Sequence, residues 1–207
     1  MHLDEGYAVE FSPDGSLMAS SGENLIRFWE TSSFTNTRNL TLSFGAISLA
    51  FSPDGSLFAT GDGNGVTSLW NTATGSSLRN FSFPTYVRAI KFSPDGSLLA
   101  SGGGFGLVKI WDILSGDNIR NLTHNGNVNS FEFSPDGSLI ATGLSVSSGS
   151  TAPSLIIWNG TSSDSPIRSF ITYNRVSRVV FNADGSLLSA ASNGIILIVD
   201  PRNGKFI

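Results

Sequence analysis

Histidine is the residue on which a nucleophilic hydrolase mechanism would depend, and this chain contains two, His2 and His124. A Ser–His–Asp triad uses histidine as its general base. Each histidine lies nine residues before a phenylalanine, Phe11 and Phe133, that begins the same repeated motif. No other histidine is available as a base, and the sequence has neither a G-x-S-x-G nor an H-E-x-x-H motif. We therefore predict that the chain is not an enzyme.

Turn formation explains the other residues whose side chains could take part in catalysis or ligand binding. The repeated motif contains one aspartate in each copy, at Asp14, Asp54, Asp95 and Asp136. Carboxylates spread in this way cannot work as a catalytic pair. The stretch SGGGFG at 101–106 precedes an alternating strand pattern, whereas a phosphate-binding loop opens a helix. The segment at 62–65, DGNG, lacks the glutamate that closes a calcium loop. We expect no cofactor and no metal.

Composition and charge exclude several further classes of function. The net charge is −4, and no cluster of lysine or arginine is present, so we expect no nucleic-acid partner. There is no cysteine, which removes disulfides and thiolate metal sites. No apolar run reaches membrane-spanning length, and the N-terminal segment is acidic where a signal peptide would be basic and then apolar. The sequence predicts a soluble, cytoplasmic chain without membrane association.

The elements that position these residues come from an internal repeat. The motif FSPDGSL or a close variant begins at Phe11, Phe51, Phe92, Phe133 and Phe181. A second marker follows each copy, at Trp29, Trp70, Trp111, Trp158 and, in the fifth, Val199. A third marker, RNL or a variant, begins at Arg38, Arg79, Arg120 and Arg168. N-x-S/T sites at Asn39, Asn80, Asn121 and Asn159 are best explained by this repetition, although glycosylation remains an alternative.

Each repeat predicts four short strands. The first strand ends at the repeated phenylalanine, and Pro, Asp and Gly of SPDG suit successive positions of a turn, with positive φ at the glycine. The second strand follows, then a glycine-rich hairpin, a third strand that ends at tryptophan, and a fourth at the RNL marker. Repeated four-stranded units of about 40 residues predict an all-β propeller. We expect a single domain, 1–207, with units at about 1–40, 41–81, 82–122, 123–170 and 171–207.

The markers resemble those of the WD-repeat (β-transducin-like) family, over nearly the whole chain. Trp111-Asp112 is an intact WD dipeptide. The resemblance assigns structural roles to His2 and His124 and to the tryptophans at 29, 70, 111 and 158. The buried His–Ser/Thr–Asp–Trp network of the family is incomplete in every copy, because its aspartate is replaced. TolB-like propellers also use SPDG turns, but the spacing of the tryptophan favours the WD-repeat family.

The family resemblance implies an interaction scaffold that binds a protein or peptide on its loop face. Partner-contacting side chains are expected six and four residues before each repeated phenylalanine and in nearby loops. The candidates are Tyr7, Tyr86, Arg88, Phe105, Asn127, Asn129, Arg175 and Arg178. Two other functions stay open: an enzyme or small-ligand binder that uses the central channel, and a fragment that acts only by assembling with other chains.

The repeat pattern does not determine whether the propeller closes on itself. The five blades could form a closed ring, or they could be a piece of a larger propeller. The fifth repeat has few residues after its third strand, IILIV at 195–199, so we expect this edge either to pair with the terminal segments or to support self-association. In the fourth repeat, an insertion at 144–154 predicts a mobile loop on the same side as the candidate partner residues.

Overall fold

The computed structural model describes residues 6–147, 149–162 and 164–207 and contains 19 β-strands in five antiparallel sheets. The strands are β1 Gly6–Phe11, β2 Leu17–Gly22, β3 Leu25–Glu30, β4 Asn36–Thr41, β5 Ala46–Phe51, β6 Leu57–Asp62, β7 Val66–Asn71, β8 Ser77–Ser82, β9 Val87–Phe92, β10 Leu98–Gly103, β11 Leu107–Asp112, β12 Asn118–Thr123, β13 Asn127–Phe133, β14 Leu139–Ser145, β15 Leu155–Asn159, β16 Pro166–Phe170, β17 Val176–Phe181, β18 Leu188–Ser192 and β19 Ile195–Val199. The part of the chain so described contains no helix of the length and apolarity needed to cross a membrane.

Each sheet is one blade, and its strands follow one another in sequence order. Blades 1 to 4 have four strands each, which confirms the predicted all-β repeat. Blade 5 differs from the expected four-stranded unit, because its sheet has three strands, β17, β18 and β19. Residues after β19 make one isolated bridge, Phe206 to Val199, and the Ile207 N–H donates to the Ile198 carbonyl at 3.0 Å. The outer edge of β19 is therefore covered at one end.

The core lies between neighbouring blades. The innermost strands β1, β5, β9, β13 and β17 pack side by side in that order around a central channel. At the first interface, Phe28 of blade 1 meets Phe51 and Phe58 of blade 2 with ring centroids 6.2 and 4.9 Å apart. Similar clusters of buried apolar side chains fill the next three interfaces. The alternating pattern of each strand thus supplies one face to the preceding blade and one to the following blade.

The SPDG turns have the backbone that their sequence predicts. Gly55, Gly96 and Gly137 adopt φ of +72°, +73° and +70°. In the first turn, Asp14 Oδ1 accepts hydrogen bonds from the Ser12 hydroxyl at 2.6 Å and the Ser16 N–H at 3.0 Å. The hydrogen bond from Ser12 is the main reason that the pKa of Asp14 falls to about 2. The aspartates therefore stabilise turns, as their spacing indicates.

The arginines of the RNL marker connect each blade to the next. Arg38 donates to the carbonyl oxygens of Thr72 and Ala73, which lie in the turn after the tryptophan strand of blade 2. Arg79 repeats the contact with Ser115 in blade 3, at 2.9 Å. In blade 4 the marker arginine is Arg168, which reaches the Arg202 carbonyl at 3.2 Å. We call this contact the arginine clamp.

Each tryptophan of the second marker donates its indole N–H to a hydroxyl of the second strand in its own blade. The acceptors are Ser20 for Trp29, Thr60 for Trp70, Ser101 for Trp111 and Thr142 for Trp158, at 2.8 to 3.1 Å. His124 joins the fourth of these pairs. Its Nδ1–H donates to the Gly106 carbonyl at 2.8 Å, and the Thr142 hydroxyl donates to its Nε2 at 3.0 Å. Burial lowers the pKa of His124 to about 4, so the ring is neutral at pH 7.

Blades 1 and 5 do not repeat the packing of the other neighbours. Among the described residues, β17 and β1 lack the extensive contacts that join every other pair of adjacent inner strands. Phe11 and Val9, whose equivalents in blades 2 to 5 are buried, are exposed on blade 1. Ile196 and Ile198 are exposed on the opposite wall, in blade 5. We call this opening the seam; the structure therefore differs from a tightly closed five-blade ring.

Candidate functional site

The antiparallel order of the strands separates the connections into two sets. The SPDG turns and the turns after the tryptophans lie at one end of the blades. The hairpins between second and third strands lie at the other end, together with the connections between blades. We call this second end the loop face; its described connections are 23–24, 42–45, 63–65, 83–86, 104–106, 124–126, 146–147, 149–154, 171–175 and 193–194.

The hairpin that carries Phe105 packs against the connection that carries Tyr86, on the loop face of blade 3. A side chain at Gly104 would lie 2.8 Å from Cγ2 of Thr85 and 3.2 Å from Cε1 of Tyr86, so the hairpin backbone packs directly on the connection that carries Tyr86. Phe105 adopts φ of +57° and is 77% exposed. A bulky residue in the left-handed region is strained, and such strain is concentrated at functional positions. The sequence predicted both residues as partner contacts without showing that their two loops pack together.

Arg88, Asn129 and Arg178 lie deeper, on the inner strands that line the central channel. Asn129 donates its amide to the Val176 carbonyl at 2.9 Å and so connects β13 to β17. Arg88 and Arg178 are exposed to the channel space. These three side chains therefore form a separate group from Tyr86 and Phe105, because the inner strands run along the channel and not across the loop face.

The channel also collects charges that the sequence did not single out. Its cavity of about 250 Å³ is lined by residues of all five inner strands. Lys91 and Glu132 form an ion pair with Nζ and Oε2 3.0 Å apart. Glu10 lies in the same cavity, and its burial raises its pKa, an effect that the positive charges of Lys91 and Arg178 oppose. Charged groups from blades 1, 3, 4 and 5 thus converge at the axis.

The remaining predicted contacts are distributed around the loop face. Asn127 is exposed at the start of β13, and Arg175 is exposed beside a cavity of about 370 Å³ that Asn193 also lines. The backbone of Tyr7 belongs to β1, but its side chain and the whole of His2 lie outside the described residues. The structure thus places Asn127 and Arg175 on the predicted face.

Two exposed aromatic residues of the loop face were missed by the sequence reasoning. Phe44, in the connection between blades 1 and 2, borders a cavity of about 570 Å³ together with Glu23 and Asn64. Tyr173 lies in the connection between blades 4 and 5, with φ of +58°, and its carbonyl accepts a hydrogen bond from Gly149 of the insertion at 2.9 Å. An aromatic residue in an inter-blade connection was the signal available, since connections seldom need large apolar side chains.

Comparison with known proteins agrees with this architecture. The family model described as WD domain, G-beta repeat matches residues 4–30, 37–71, 75–112 and 116–159. An uncharacterized WD repeat-containing protein of Synechocystis sp. is 41% identical over 63 residues. That similarity covers 29% of this chain and 18% of the Synechocystis protein.

Proposed function

The chain belongs to the WD-repeat family, and from this premise we propose that its loop face binds a peptide or protein partner. Propellers of this family serve in general as scaffolds for protein interaction. The observation that supports the loop face here is its set of aromatic side chains, which come from four separate connections. They are Phe44, Tyr86, Phe105 and Tyr173.

Aromatic side chains at this position favour binding for an energetic reason. Large exposed rings gain free energy when a partner removes them from water, and tyrosine is among the residues that carry most binding energy. Phe105 and Tyr173 are held at positive φ, a conformation that costs free energy in the unbound protein. Arg175 lies close to Tyr173 in sequence, on the same face, and suits a carboxylate of the partner.

A selection of displayed peptides against the wild-type chain tests the proposal. The affinity of a selected peptide is then measured by fluorescence anisotropy for Tyr86→Ala and Arg175→Ala. We expect each variant to lose at least about tenfold in affinity, equivalent to about 1.4 kcal/mol, with nearly unchanged melting temperature. Leu114→Ala is a matched control, because Leu114 is an exposed apolar residue in a turn at the opposite end of the blades.

Two outcomes would contradict the proposal. Loss of peptide binding in Asp54→Ala, with no loss in Tyr86→Ala, would place the binding surface at the end of the blades that carries the SPDG turns. Equal losses in Leu114→Ala and Tyr86→Ala would show that the selected peptides recognise exposed apolar groups without preference for a face.

A second candidate function is small-ligand binding in the central channel. The supporting observation is the convergence of Glu10, Lys91, Glu132 and Arg178 in one cavity, with a raised pKa at Glu10. Such a cavity suits a small molecule that carries both a carboxylate and an ammonium group. A thermal-shift screen of amino acids and dicarboxylates tests this function, and we expect stabilisation that Arg178→Ala abolishes. If no compound raises the wild-type melting temperature, the candidate is wrong.

A further inference from the structure

The cavity between blades 1 and 2 on the loop face combines an apolar wall with a single charge. Its volume is about 570 Å³, and it is lined by the hairpins of both blades and by the connection between them. Phe44, which is 51% exposed, and Ile47 supply apolar surface. Of the described residues that line the cavity, Glu23 alone is charged. The cavity therefore offers a carboxylate beside a hydrophobic surface.

The next pair of blades shows that this opening is not a general property of the fold. Between blades 2 and 3 the hairpin packs on the preceding connection, because a Cβ at Gly104 would lie 2.8 Å from Cγ2 of Thr85. The equivalent hairpin residue of blade 2 is Gly63. A Cβ there would meet one atom within 4 Å, Cδ1 of Ile47 at 3.6 Å. The hairpin of blade 2 thus stands away from the connection before it, and the cavity fills the space between them.

The hairpin turn of blade 1 does not explain the choice of glutamate at position 23. Glu23 adopts φ of +36°, and the equivalent residue of blade 5, at φ of +45°, is Asn193, a type that tolerates positive φ better than glutamate. Among the described residues, no hydrogen bond or ion pair engages the carboxylate of Glu23 or the side-chain amides of Asn24 and Asn64. The polar groups at the mouth of the cavity are therefore available to a ligand.

We propose that this cavity is the subsite for a basic side chain, lysine or arginine, of the peptide partner; the inference rests on the proposed function of the loop face. The aliphatic part of such a side chain packs on Phe44 and Ile47, and its charge meets Glu23. A guanidinium also stacks favourably on an aromatic ring. The corresponding cavity between blades 4 and 5, of about 370 Å³, carries Arg175 instead. Opposite charges in the two cavities would fix the direction in which a partner lies across the face.

A single capped residue tests the subsite without a selected peptide. N-acetyl-arginine amide is titrated into the isotope-labelled wild-type chain, and the backbone amide signals are followed by two-dimensional NMR. We expect the signals of residues 23–24, 44–45 and 63–64, which line the cavity, to shift. N-acetyl-citrulline amide has nearly the same shape without the charge, and we expect it to bind at least about threefold more weakly, as loss of an exposed ion pair predicts.

Variants of the cavity assign the two parts of the interaction. Glu23→Gln is expected to weaken binding of the arginine amide by about threefold and to remove its preference over the citrulline amide. Phe44→Ala is expected to weaken binding of both compounds. Glu30→Gln is the matched control, because it removes the same charge from an exposed residue at the opposite end of blade 1, and it should leave both affinities unchanged. Circular dichroism and the melting temperature monitor folding of each variant.

Three results would overturn the proposal. Shifts confined to the inner strands that hold Glu10 and Glu132 would show that the basic group enters the central channel instead. Equal affinities of the wild type for the arginine and citrulline amides would show that the carboxylate is not used. Equal losses in Glu23→Gln and Glu30→Gln would show an effect of net charge alone. None of these measurements uses Tyr86→Ala or a selected peptide, so failure of this proposal is distinguishable from failure of the proposed function.

Discussion

The guanidinium of Arg79 donates to the carbonyl oxygen of Ser115, 36 residues later and in the next blade, at 2.9 Å. Arg38 and Arg168 make the equivalent contact with the blades that follow them. In the remaining case Arg120 contacts the Asp164 carboxylate at 3.1 Å, because the turn of blade 4 has a different length. The repeat pattern alone does not explain the RNL marker. The structure shows that its arginine connects one blade to the next.

Removal of one clamp is expected to weaken the fold modestly. Arg79→Ala deletes a charged donor to a backbone carbonyl, and we expect a loss of about 1 kcal/mol in the free energy of unfolding, since the group is solvent-exposed. Urea denaturation measures the difference. Arg175→Ala, an exposed arginine of the loop face, is the matched control, and an equal loss there would show that the clamp contributes nothing specific.

Alanine substitutions at Gly96 and Gly116 distinguish the conformational cost of a positive φ from the steric cost of a clash with the clamp arginine. Gly96→Ala places a Cβ at φ of +73° with Pro53 at 3.6 Å, so its cost is conformational, about 1 kcal/mol. Gly116→Ala adds a clash with the guanidinium of Arg79 at φ of +83°. We therefore expect Gly116→Ala to destabilise more than Gly96→Ala in thermal unfolding. In an Arg79→Ala background the two costs become similar, and a persistent difference would contradict this explanation.

His124 predicts a pH dependence of stability with a definite sign. The folded protein keeps the ring neutral down to its pKa of about 4, whereas the unfolded chain protonates it near 6.5. The contribution is fully present above pH 6.5 and decreases as the pH falls toward 4, by about 3 kcal/mol in total. Urea denaturation of the wild type and His124→Asn at several pH values measures it, and identical slopes in both proteins would contradict the assignment. His2 is present in both proteins, so its effect cancels.

The aspartates of the SPDG turns titrate at lower pH than His124. The Ser134 hydroxyl is the main reason that the pKa of Asp136 falls to about 2, so its stabilising effect is present above the ordinary value of 3.8 and lost as the pH falls through 2. Ser134→Ala is expected to raise this pKa toward 3.8, measured by carboxyl chemical shifts in NMR. Ser52→Ala in the turn of blade 2 is the control, and it should leave the pKa of Asp136 unchanged.

The sequence by itself determined the local features of this protein. The turn geometry at Gly55 and Gly96 follows from Pro-Asp-Gly, and the alternation of apolar residues fixes which face of each strand is buried. The fixed spacing of the tryptophans marks the third strand of four blades. These features depend on neighbours within a few residues, so a single repeat is enough to predict them.

The tertiary structure determined which residues of different blades lie close together. It placed Arg88 and Arg178 in the channel, because inner strands run along the axis, and it brought Phe44 and Tyr173 to one face with Phe105. It also separated the walls that hold Phe11 and Ile198. Contacts between blades join residues more than 30 positions apart, and their partners depend on the curvature that all the blades build together, which no repeat specifies alone.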